Sequence, residues 1–179
     1  DAVQAFDEIK EQKDLNSGRV RIGVTEAFGN CFIAPNLTKL KHEFPNIQIE
    51  LVHFARYVKI SRNEADIAIA VEKPKSTSTI ITKLSYLKEL NADIKPSFQS
   101  TSITSQYSAI TSGLGIGILP CFLAEQDASL VKLCSDEIKL VRSFYLVTHP
   151  ESKRLSQVET VWKYLKVLAQ QNKQLLMPE

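Results

Sequence analysis

Three kinds of side chain in this sequence have the type and spacing to do chemistry: alternate glycines, hydroxyls beside carboxylates, and dispersed cysteines and histidines. Gly113, Gly115 and Gly117 form a GxGxG run, which invites a phosphate-binding reading. A dinucleotide fingerprint runs strand, glycines, helix, so that a helix N-terminus faces the pyrophosphate. Here the order is reversed. Ile103, Tyr107 and Ile110 recur at i, i+4 and i+7 and predict an amphipathic helix stopping at Ser112-Gly113. The glycines therefore follow a helix C-terminus, where the dipole repels phosphate. Ile116, Ile118 and Leu119 then predict a short buried strand ending at Pro120. No GxSxG nucleophile elbow is present, and nothing in the spacing pairs Glu26, Asp66 or Glu72, so no catalytic residues and no enzyme are expected. His42, His53 and His149 lack metal-ligand spacing, and Cys31, Cys121 and Cys134 lack CxxC spacing, so no metal or cofactor is expected. The cysteines read as small buried hydrophobes, with a redox-sensing pair as the alternative.

The remaining candidates are polar groups at the ends of elements. Thr25 and Glu26 follow a predicted strand, and Ser100, Thr101 and Ser102 precede the helix that the glycines end. Open α/β sheets bind ligands at strand C-termini, and the N–H groups of helix N-termini favour anions. Each hydroxyl is equally suited to capping a helix and nothing more.

The elements that would position these groups alternate along the chain. Val3, Phe6 and Ile9 place one apolar stripe on a charged helix in residues 1–15. Val20, Ile22 and Val24 alternate as a strand, and Ile47, Ile49 and Leu51 as a second. Between them Phe32, Ile33, Leu37, Leu40 and Phe44 predict a helix with Pro35 near its first turn, giving a parallel βαβ unit. Asp66 opens a third, nearly continuous apolar strand to Val71, and Lys73 to Thr79 reads as a surface loop. Phe98 to Ser102 reads as a strand end and turn, Cys121 to Ala124 as a helical turn, and Phe144 to Val147 as a strand. Val158, Val161, Trp162, Leu165 and Leu168 fall on one face of a last helix.

With 44% hydrophobic and 23% charged residues the chain has the composition of a globular protein, not of a disordered or membrane one. No apolar run is long enough to span a bilayer, and the charged start is unlike a signal peptide. A net charge of +2 leaves no electrostatic footprint for nucleic acid.

Taken in order, GRVRIGVTEAF (18–28), IAPNLTKLKHEFPNIQIEL (33–51), EADIAIAV (64–71) and AITSGLGIGILPCFLA (109–124) resemble the effector-binding domain of the LysR-type transcriptional regulators. The resemblance covers most of residues 18–165. It implies an α/β fold of two Rossmann-like lobes resembling the type 2 periplasmic-binding-protein fold. Residues 1–17 would end a linker helix, 18–83 and 141–179 would form the first lobe, and 84–140 the second. A small-molecule or anionic effector would bind between the lobes, and the resemblance adds Ala27, Phe28 and Pro120 to the candidate residues Thr25, Glu26, Ser100, Thr101 and Ser102. It also implies a cytoplasmic protein that does not bind membranes and that touches DNA only through an N-terminal winged helix-turn-helix lying outside this sequence. A homodimer or tetramer is expected, because the stripe of Phe32, Leu37, Leu40 and Phe44 is wider than one lobe needs. The alternative is a periplasmic-type solute-binding protein, against which the cysteines and the linker-like start count. The chain departs from the family between Lys83 and Leu90, where ITKLS runs straight into YLKELNADIKP. Either the second lobe is reduced or residues are missing near Ser85-Tyr86, and the second is favoured because a lobe stripped of that much sheet leaves strand edges bare.

One outcome follows from the charge alone. This chain is expected to give no mobility shift with DNA at physiological salt, since nearly balanced charge supplies too few phosphate contacts for sub-micromolar binding. A specific shift would overturn the reading.

Overall fold

The computed structural model describes residues 16–54, 64–71 and 95–178. The stripe in residues 1–15, the loop at Lys73 to Thr79 and the family departure between Lys83 and Leu90 lie outside them. At the centre is a four-stranded sheet in the order β2-β1-β3-β4, built from β1 (Gly18–Thr25), β2 (Ile47–Phe54), β3 (Ile67–Ala70) and β4 (Tyr145–Thr148). β1 runs parallel to both β2 and β3, and β4 is antiparallel to β3. The predicted alternation in β1 and the continuous apolar run in β3 are both realised: Val20, Ile22, Val24, Ile67 and Ala68 are completely buried.

Polar groups set the register. The backbone N–H of Arg21 donates to Asp66 Oδ2 at 2.8 Å, and the N–H of Asp66 returns a bond to the Arg21 carbonyl at 2.9 Å. Arg21 also lies opposite Glu50 in the β1/β2 ladder, and its Nε donates to Glu50 Oε2 at 3.1 Å. Thr148 Oγ1 then donates to the Asp66 carbonyl at 2.6 Å, tying β4 to the start of β3.

The crossover from β1 to β2 is helical from Glu26 to Glu43 but is not one regular helix. It begins as α1 (Glu26–Phe28), widens to a π turn (Gly29–Ile33), tightens to a 3-10 turn (Ala34–Asn36) and ends as α2 (Leu37–Glu43). Pro35 supplies the physical reason, since it has no N–H for the carbonyl four residues back and its ring crowds that carbonyl. Asn36 donates Nδ2 to the Phe32 carbonyl at 2.7 Å, one residue beyond the Cys31 carbonyl that Pro35 leaves without its α-helical donor. The helix thus starts earlier than the apolar stripe suggested, and Pro35 falls in its middle.

The helix expected around Tyr107 forms as α3 (Ile103–Thr111), with Ser102 as N-cap accepting from the Ser105 N–H at 3.2 Å. It ends as the glycines predict. Gly113 has φ +81° and donates to the Ile110 carbonyl at 2.9 Å, while Leu114 N–H reaches the Ala109 carbonyl at 3.0 Å, which is the Schellman pair. Beyond it lie α4 (Cys121–Ala124), a 3-10 turn (Ser152–Arg154), the long helix α5 (Ser156–Gln171) and α6 (Lys173–Leu176). Val158, Val161, Leu165 and Leu168 of α5 are buried against the sheet, as the stripe requires.

Two expected strands do not form. Residues 115–120 and 98–102 adopt neither helix nor strand, and Ile116 is 87% exposed where a buried strand was predicted. A strand needs a neighbour to satisfy its backbone, and no described strand lies beside either segment. The stripe read as wider than one lobe needs is divided between full and partial burial. Phe32 and Leu40 are buried, and Leu37 and Phe44 pack against the same core.

Replacing Gly113 by Ala tests the helix end. Its left-handed backbone penalises a Cβ by about 1–2 kcal/mol, although no atom stands in the way. Chemical denaturation should show that loss, and an unchanged midpoint would mean that the turn does not hold its φ.

Candidate functional site

The two polar clusters read from the sequence are brought together. Ser102 Oγ donates to Glu26 Oε2 at 3.3 Å, joining the start of α1 to the start of α3 across 76 residues of chain. Ser102 therefore serves both purposes, as cap for α3 and as partner for Glu26. Ser100 shapes the approach: its Oγ accepts from the Ser102 N–H at 3.1 Å and its carbonyl accepts from Gln106 Nε2 at 2.7 Å. Thr25 occupies the N-cap position of α1 with extended backbone but makes no capping hydrogen bond through its side chain. Thr101 is exposed.

The other candidates are placed differently. Ala27 and Phe28 are buried in the core. Phe28 stacks on Phe144 at 4.2 Å and on Phe32 at 4.8 Å between ring centroids, and meets Phe122 edge-on at 5.0 Å. At 4% exposure its side chain belongs to the core. Pro120 precedes α4, and its carbonyl accepts from the Leu123 and Ala124 N–H groups.

Sequence reasoning missed the residues behind the hydroxyls. Tyr107 Oη donates to Asp127 Oδ2 at 2.5 Å, while the N–H and Oγ of Ser129 donate to Asp127 Oδ1 at 2.9 and 2.7 Å. This bracket fastens α3 to the turn that follows α4. The Tyr107 hydrogen bond, helped by the two from Ser129, holds the Asp127 carboxyl below its ordinary value of 3.8. The same bond, with burial behind it, pushes the Tyr107 phenol above its ordinary 10.0. Tyr107 was legible only as one member of an apolar stripe, because nothing in sequence marks a partner 20 residues away.

All three cysteines are free thiols, Cys31 and Cys121 half-buried and Cys134 exposed. Burial first, and the Glu26 carboxylate second, push the Cys31 thiol up, away from the thiolate that redox chemistry needs. Among the described residues no cluster of His, Cys, Asp and Glu is arranged to hold a metal ion, and no helix is long and apolar enough to cross a membrane. A groove of about 470 Å³ lies between α2 and α5, lined by Asn36, Lys39, His42, Tyr164 and Asn172 among others. None of the candidate residues borders it.

The family model of the LysR substrate binding domain matches residues 13–85 and 83–169. This chain belongs to that family. The match falls into two pieces that meet at residues 83–85. Curated relatives include the HTH-type transcriptional activator TtdR of Escherichia coli strain K12, 29% identical over 65 residues. That stretch is 36% of this chain and spans 21% of the relative's length. Among solved structures, CrgA, a LysR-type transcriptional regulator from Neisseria meningitidis, superposes with a TM-score of 0.69 at 16% identity, over 95% of this chain and 75% of that one. The regulatory domain of AphB from Vibrio vulnificus gives 0.62 at 18% identity, over 86% of this chain and 99% of that one. These likenesses carry the fold, a mixed α/β arrangement of the type 2 periplasmic-binding-protein kind. The LysR-type chain is thus an effector-binding regulatory domain and not an enzyme.

The Tyr107–Asp127 bracket has a defined pH signature. A carboxyl lowered in the folded state contributes stability above its unfolded pKa, and that contribution is lost as pH falls through the lowered value. The melting temperature of the native chain should exceed that of Asp127→Asn at neutral pH, and the gap should close below about pH 4. A gap that stays constant into acid would assign the effect to packing.

Proposed function

We propose that this chain senses a small molecule or anion at the meeting point of Thr25–Glu26 and Ser100–Ser102, on behalf of a DNA-binding regulator. The observation that carries the reading is the Ser102–Glu26 hydrogen bond, which joins two helix starts from distant parts of the sequence. Around it stand hydroxyls and N–H groups able to bind an anionic group, with Glu26 able to accept from a ligand's donor. Ala27 and Phe28 supply the backbone that starts α1 and anchor it to the core, and Pro120 sets the entry to α4. The charge on Glu26 disfavours multiply charged anions and so acts on specificity.

In this reading residues 18–83 and 141–179 form one lobe and 84–140 the other. The effector binds one relative arrangement of the two more tightly and so shifts the population toward it. The segment 1–17 passes the shift to DNA-binding heads in a cytoplasmic dimer or tetramer, making effector and DNA affinities reciprocal. The two-piece family match supports a second lobe that is shortened or missing residues near Ser85-Tyr86.

A thermal-shift screen of small metabolites and inorganic anions tests the proposal, since a ligand for the folded state alone raises the apparent stability. For any ligand found, Thr101→Val keeps the volume, removes the hydroxyl and should weaken binding by about 1–3 kcal/mol. Stability should move by no more than about 0.5 kcal/mol, because the side chain is exposed. Binding that survives both Thr101→Val and Glu26→Gln would place the site elsewhere.

A further inference from the structure

The groove between α2 and α5 carries charges of both signs. Lys39, His42 and Glu43 line it from α2, while Gln171 and Asn172 line it from the C-terminal end of α5, where the helix dipole is negative. Lys39 and Glu43 stand four residues apart, a spacing at which opposite charges on a helix can meet. On α5 that spacing brings Lys163 Nζ to 2.8 Å from Glu159 Oε1. On α2 the lysine comes first, the order that pairs less well, and neither Lys39 nor Glu43 forms an ion pair among the described residues. Burial first, and the Glu43 carboxylate second, push the Tyr164 phenol of α5 above its ordinary 10.0, so Glu43 acts across the groove. Tyr164 Oη donates to the Asn36 carbonyl and ties the two helices together.

We propose that this groove binds a free amino acid, its carboxylate held by Lys39 and His42 and its ammonium by Glu43 and the end of α5. A simple anion would meet Glu43 and a simple cation would meet Lys39, each a like-charge contact, whereas a zwitterion brings each its counter-charge. Asn172 commits Nδ2 to the Leu168 carbonyl at 2.9 Å, which leaves its Oδ1 to accept from an ammonium. The volume of about 470 Å³ has room for a side chain as well, with Pro35 and Leu168 as its apolar contacts. This site is separate from the one at Ser102 and Glu26 and does not depend on it.

Amide chemical shifts of isotope-labelled protein titrated with L-alanine, L-glutamine and L-phenylalanine test the proposal, with propionate and ethylamine as single-charge controls. Saturable shifts are expected in α2 and the last turn of α5 with at least one amino acid, which binds about ten-fold or more tightly than either control. Lys39→Gln and Glu43→Gln, both at exposed positions, should keep the fold and each weaken binding about five-fold or more, and Thr101→Val should leave it unchanged. No saturable shift up to about 10 mM with any of the three amino acids, propionate binding as tightly as they do, or binding indifferent to Glu43→Gln would overturn the proposal. Failure of the effector site at Glu26 would leave these shifts in place, so the two readings fail separately.

Discussion

Burial of β1 between two parallel neighbours is the constraint on which the rest of the structure depends. Val20, Ile22 and Val24 share one face and are wholly enclosed, and the strand is paired along both edges, while Arg19 and Arg21 leave the opposite face partly open. Parallel neighbours cannot be reached by a tight turn, which obliges the chain to leave β1 through a crossover. The crossover starts at the C-terminal end of β1, and this is why Thr25 and Glu26 stand at the rim of the sheet. Close approach inside the sheet is strict as well: a Cβ on Gly23 would lie 1.9 Å from the Phe54 ring.

Phe28 carries that constraint outward. It is two residues from Glu26, stacks on Phe32 of the same crossover and on Phe144 just before β4, and meets Phe122 of α4 edge-on. Phe122 and Leu123 join the same core as β1, so the segment holding α3 is anchored to the sheet by aromatic packing as well as by the Ser102–Glu26 bond. Aromatic pairs of this kind contribute about 0.5–1.5 kcal/mol beyond the area they bury. Glu26 is therefore held at the start of a helix whose third residue is fixed in an aromatic cluster.

What was legible in the sequence followed from local physics. The alternation of Val20, Ile22 and Val24, the stripe of α5 and the stop at Gly113 each depend on a few adjacent residues, and each forms as expected. Ser102 was readable as a cap for the same reason. The strand expected at Ile116 to Leu119 failed because a strand is made by its neighbours, and composition alone does not supply them. The Tyr107–Asp127 bracket and the burial of Phe28 depend on chain meeting chain at long range, which period and composition do not encode. Pro35 could have been read more closely, since a proline inside an apolar stripe displaces hydrogen bonds on its N-terminal side.

The π turn at Gly29–Ile33 has a geometric meaning for the site. It is what an α-helix becomes when it holds one residue too many, and each residue of helix rotates the chain by about 100°. The extra residue is absorbed within the turn itself, so the face bearing Glu26 keeps its phase relative to the face that α2 turns to the core. A residue can in this way be gained or lost between Glu26 and Leu40 without swinging Glu26 from Ser102 or unseating Leu40. Orientation at the rim is in this sense buffered against the residue count of the crossover that carries it.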